Sequence, residues 1–77
     1  MDAFDNQLAL AKQGSREAMI YVADNYFYGV DIVGDDLYQN MIKARHWYER
    51  AGNLGSRYAV DMSKEVKALI SNLKDAA

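Results

Sequence analysis

The sequence predicts an all-α fold of about four helices, packed as antiparallel pairs. Three observations predict it. The chain has no proline, so five glycines are its only strong breakers, and they divide it into segments of helical length. Those segments are rich in Ala, Leu, Met, Lys, Glu and Gln, all good helix formers. Apolar residues recur at i, i+3, i+4 and i+7, the spacing of one helix face. Strand signals are confined to Val30–Val33, flanked by acids and glycine.

The first helix is expected near 3–12 and ends at Gly14. The second runs near 15–28. Ser15 precedes it, and its hydroxyl can accept a free N–H of the first turn. Ala18, Val22, Ala23 and Tyr26 form its buried stripe, and Gly29 ends it. The third is placed near 41–52, with Asn40 as its cap and Ala44, Trp47, Tyr48 and Ala51 on one face. The fourth is placed near 56–74 and starts on Ser56. Its stripe is read as Tyr58, Met62, Val66, Leu69 and Leu73, with Ala59 and Ile70 beside it. Gly14, Gly29 and Gly55 stand where chains leave helices in the left-handed conformation.

The chain also repeats itself. Gly14-Ser15-Arg16-Glu17-Ala18 recurs 41 residues later as Gly55-Ser56-Arg57-Tyr58-Ala59, and Ala3 maps onto Ala44. Two antiparallel helices and two turns need an offset of about that size. Ala18-x-x-x-Val22-Ala23-x-x-Tyr26-x-x-Gly29 resembles the first helix of the Sel-one-like repeat, a relative of the tetratricopeptide repeat. Asn40-x-x-Lys43-Ala44-x-x-Trp47-Tyr48-x-x-Ala51-Gly52-x-x-Gly55 resembles its second helix. The resemblance covers residues 18–59 and, more weakly, 3–17. It implies a short tetratricopeptide-like α/α repeat, in one domain spanning 1–77. The implied full unit lies at about 15–55, with flanking helices on either side.

Several positions depart from the family pattern. Ala23 stands for its usual glycine and Asn40 for its aspartate, and the connection from Gly29 to Lys43 is about four residues longer than usual. Positions equivalent to Val22, Ala23 and Tyr26 in the last helix are Ser63, Lys64 and Lys67. That helix is therefore expected to bury a different stripe and to act as a terminal cap.

Composition excludes several function classes. Seventy-seven residues support one domain, and a chain this short buries only about 60% of its unfolded surface. Six Tyr, two Phe and one Trp supply most of the bulk for a core. Cysteine is absent, which favours a reducing compartment. Met1-Asp2-Ala3-Phe4-Asp5-Asn6 is acidic where a signal peptide is basic and then apolar. No apolar run approaches the roughly 20 residues of a bilayer span. The expectation is a cytoplasmic protein without a membrane partner. Net charge is −2, with Lys and Arg scattered singly among acids, so no basic face is expected for nucleic acid.

No residue pattern suggests catalysis. His46, the one histidine, has no ligand-spaced partners and reads as a surface residue. Asp31, Asp35 and Asp36 cluster in the 29–40 loop without the spacing or closing Glu of a calcium loop. The serines lack a nucleophile context, and the glycines form no phosphate loop. No catalytic residue, metal or cofactor is expected.

The tyrosines are more informative. Tyr21, Asn25 and Tyr28 lie on a face of the second helix adjacent to its buried stripe. They read either as half-buried core or as contacts for another protein, because tyrosine is favoured at interfaces. Asp31, Asp35, Asp36 and Tyr38 form a second candidate contact element in the loop. The resemblance implies a non-enzymatic protein–protein interaction module or adaptor. Small size and acidity suggest as a specific form an inhibitor or immunity-type protein that occludes a larger target. A homo-oligomeric structural protein is the alternative, with self-association through the fourth helix.

Overall fold

A computed structural model describes residues 3–29 and 36–76. They form four helices: α1 (Ala3–Lys12), α2 (Arg16–Tyr28), α3 (Leu37–Asn53) and α4 (Arg57–Ala76). The fold is all-α, and each helix packs chiefly on its neighbours in sequence. Contacts show successive helices running antiparallel. Phe4, early in α1, meets Tyr26, late in α2, edge-on at 5.5 Å. Arg16, at the start of α2, donates to the carbonyl of Leu54 beyond the end of α3 at 3.2 Å. The shortest dimension is 14 Å, which suits two layers of helices at interaxial distances of about 8–10 Å. No described helix is long and apolar enough to cross a membrane.

Two of the connections are the same structure. In each, the N–H of Gly14 or Gly55 donates to the carbonyl of Ala11 or Gly52 at 3.0 Å, and both glycines have positive φ. The next N–H, of Ser15 or Ser56, reaches back to Leu10 or Ala51 at 3.1 and 3.2 Å. Each serine hydroxyl then accepts the N–H three residues on, from Ala18 at 3.2 Å and Ala59 at 3.1 Å. Left-handed glycine followed by a hydroxyl cap lets one helix end and the next begin within three residues.

The core is built from small residues around a few large ones. Ala11, Ala18, Ala23, Ala44, Ala51 and Ala59 are fully or almost fully buried, and they bring the backbones close. Met19, Val22, Met41, Trp47, Tyr48 and Val66 fill the remaining space. The buried stripes expected for α2 and α3 are found, with Tyr26 half-buried at the edge.

Two expectations are corrected. The third helix begins four residues before 41, because Asp36 rather than Asn40 is its cap: the Asp36 carboxylate accepts the Gln39 N–H at 2.8 Å. Asn40 lies inside the helix, buried, with no hydrogen-bond partner for Oδ1 among the described residues. On α4 the buried stripe is Ala59, Met62, Ser63, Val66 and Ile70, whereas Tyr58 and Leu69 are exposed and Leu73 is half-buried. The helix is rotated from the expected face, with the close approach of Val60 to Gly52 and the buried Ala59 marking its contact side with α3. Ser63 is tolerated there because its hydroxyl donates to the Val60 carbonyl at 2.8 Å. Lys64 and Lys67 are exposed.

Gly52 sets the α3–α4 distance. A Cβ at this position would meet Val60 Cγ2 at 2.9 Å and the Val60 N at 3.4 Å. Gly52→Ala gains up to about 1 kcal/mol of helix propensity but forces overpacking that costs about 1–3 kcal/mol. A net loss of about 1 kcal/mol in urea unfolding is expected. Asn40→Leu removes an unpaired buried oxygen and is expected to leave stability unchanged or raise it by about 1 kcal/mol. A loss in the same assay would show that Asn40 has a partner.

Candidate functional site

Tyr21, Asp24, Asn25 and Tyr28 follow one another at i, i+3, i+4 and i+7 on α2 and so share a stripe. Asp24 is the centre of this stripe. Its Oδ1 accepts a hydrogen bond from the Tyr58 hydroxyl of α4 at 2.8 Å and another, very short, from the Tyr48 hydroxyl of α3. One carboxylate thus joins three helices. The Tyr48 and Tyr58 rings stand edge-to-face at 6.2 Å, and Phe27 meets Tyr48 at 6.5 Å.

The two phenols differ in burial but are perturbed in the same direction. Tyr48 is fully buried. Loss of water, then the Asp24 hydrogen bond and charge, raise its pKa far above that of a free tyrosine. Tyr58 is pushed up to about 12, again first by desolvation and then by Asp24. Both hydroxyls are therefore kept as donors at neutral pH. Tyr58 remains 45% exposed and Tyr28 63% exposed, and Tyr28 stands one helical turn beyond Asp24, the acceptor of the Tyr58 hydroxyl. They present an aromatic surface across α2 and α4, with Tyr58 oriented by its bond to Asp24.

The candidate residues fare differently. Tyr28 is exposed and Tyr21 half-buried on the shared stripe. Asn25 is buried, and its Nδ2 donates to the Tyr21 carbonyl at 2.8 Å, so it serves the helix rather than a surface. Tyr38 packs partly against the core, and Asp36 is occupied as the α3 cap. Asp31 and Asp35 lie outside the described residues. Lys43 crosses the Tyr26 ring at 5.5 Å, and Gly29 and Gly55 end α2 and the α3–α4 turn with positive φ.

Sequence reasoning missed Asp24 and placed Tyr58 in the core. A signal for Asp24 was present: it is the lone acid on a stripe otherwise made of Tyr and Asn. Its use as a bridge depends on residues 24 and 34 positions away, which no local pattern reveals.

Searches against family models, curated proteins and solved structures return no match for this chain. Among the described residues, no group of three or more His, Asp or Glu is placed to hold a metal ion.

Burial of the two phenols, reinforced by their bonds to Asp24, makes stability fall at alkaline pH. In the unfolded chain tyrosine loses its proton near pH 10, whereas Tyr48 and Tyr58 hold theirs to higher pH when folded. Their contribution is complete below pH 10 and is lost as pH rises through the folded values. Urea unfolding between pH 8 and 11.5 is expected to show this decline, with a shallower slope in a Tyr48→Phe/Tyr58→Phe variant. At pH 7, Tyr48→Phe is expected to cost about 2 kcal/mol, the weight of a hydrogen bond to a charged acceptor.

Proposed function

We propose that this chain is a non-catalytic protein-binding module whose contact surface is the aromatic face formed by Tyr28 and Tyr58, with Tyr21 at its edge. The observation that carries this reading is the pairing of exposure with fixation. Tyr58 is nearly half exposed, yet its hydroxyl is bound to Asp24 and its ring is set against Tyr48. Such a side chain loses little freedom on binding, and tyrosine contributes strongly at interface centres. The matched turns at Gly14 and Gly55 support a helix-pair repeat of the Sel-one-like kind, in which the first helix of each pair lines the binding face. An adaptor, or a small inhibitor that occludes a larger protein, follows from that reading. The absence of cysteine supports a reducing compartment such as the cytoplasm.

Self-association is the second reading, favoured by Leu69, which projects from α4 to 38% exposure. One experiment separates the two. The tagged chain and a Tyr28→Ala/Tyr58→Ala variant are passed through lysate of the host, with light scattering on each eluate. At about 1 kcal/mol or more per interface tyrosine, the variant is expected to recover the partner at least tenfold less well, with helicity unchanged by circular dichroism. Equal recovery would place the contact elsewhere. A discrete oligomer of the chain alone would select self-association.

A further inference from the structure

On the other side of α2, α1 and α3 flank an open groove of about 480 Å³ floored by Tyr26. At 100° per residue, Tyr26 sits about 150° around α2 from the Tyr21–Tyr28 stripe, so the groove is separate from the aromatic face. Leu8 and Lys12 line it from α1, and Ile42, Lys43, His46 and Trp47 from α3.

Two properties of this lining define its ligand. The first is charge. In a chain of net charge −2, the lining has two lysines and a histidine and no carboxylate. Lys12 and His46 are exposed and form no salt bridge with any described residue. Asp5, three residues before Leu8 on α1, is not part of the lining.

The second property is spacing. Leu8 and Lys12 are four residues apart, as are Ile42 and His46, and Lys43 and Trp47. Each pair sets one apolar and one basic side chain about one helical turn apart, a rise of about 6 Å. A helix bearing apolar and acidic residues at the same interval matches these walls, which is how amphipathic helices seat in grooves. We propose that the α1–α3 groove docks an acidic amphipathic helix of a partner protein, with Trp47, Ile42, Leu8 and Tyr26 receiving its apolar face and Lys12 and His46 its carboxylates.

Trp47 is the one tryptophan, so its emission reports on the groove directly. The probe is a synthetic 18-residue amphipathic peptide with Leu at i, i+3, i+4 and i+7 flanked by Glu, alongside the same peptide with every Glu replaced by Lys. The Glu peptide is expected to give a saturable change in Trp47 emission that weakens with added salt. The Lys peptide is expected to bind at least tenfold more weakly. Lys12→Glu/His46→Glu, at two exposed positions, is expected to reverse that preference with helicity unchanged. Tyr28→Ala/Tyr58→Ala is expected to leave it intact. Equal binding of the two peptides, no emission change with the Glu peptide, or an unaltered preference in the charge variant would each overturn the proposal. So would loss of binding in the tyrosine variant, or a response to decanoate without one to the peptide.

Discussion

The hydrogen bonds that converge on Asp24 hold the arrangement together in a way that apolar packing does not. A core rich in alanine and methionine is adaptable, because methionine is flexible and fills irregular gaps. Tyr48 is buried completely and still has a hydroxyl to satisfy, and an unpaired hydroxyl in that setting is costly. Asp24 meets this need from α2 and binds the Tyr58 hydroxyl of α4 with the same oxygen. The relative positions of three helices are thereby defined by directional bonds. The same bonds turn Tyr58 outward and present it beside Tyr28.

Around this bridge the chain is a meander in which each helix leans on the one before. Close approach comes from alanine at the interfaces and from Gly52, whose missing side chain lets Val60 sit against the α3 backbone. Lys67 reaches back to Glu49 of α3 at 3.8 Å, and Glu49 is also paired with Arg45 at 3.1 Å. These exposed pairs contribute little to stability. With Lys64 they place charges on the exposed part of α4, beside the exposed Tyr58 and Leu69. The layered arrangement leaves two different surfaces on α2: tyrosines toward α4, and an apolar groove with basic rims between α1 and α3.

The candidate site was only partly legible. Tyr21 and Tyr28 were found because tyrosines at helical spacing are visible in any sequence. Asn25 shares their stripe, yet it turns its amide to its own backbone and is lost to the surface. Helical spacing with Met62 and Val66 puts Tyr58 on the expected core stripe. It is exposed because the rotation of α4 is decided by where Ala59 and Gly52 allow contact and by its bond to Asp24. Asp36 and Asn40 show the same limit at a helix start. Both are good caps, and the earlier one brings Tyr38 into the helix, where it is partly buried against the core beside the buried Met41.

Local rules determined what is local. The number of helices, the ends of α2 and the start of α4, the glycine turns with their serine caps, and the inner faces of α2 and α3 follow from residues within one or two turns of each other. Backbone conformation and first-turn hydrogen bonds depend on immediate neighbours, so the sequence alone suffices for them. The rotation of α4, the three-helix junction at Asp24 and the basic groove between α1 and α3 depend on side chains from helices far apart in the chain. Their energies arise only when those helices meet, so only the tertiary structure decided them.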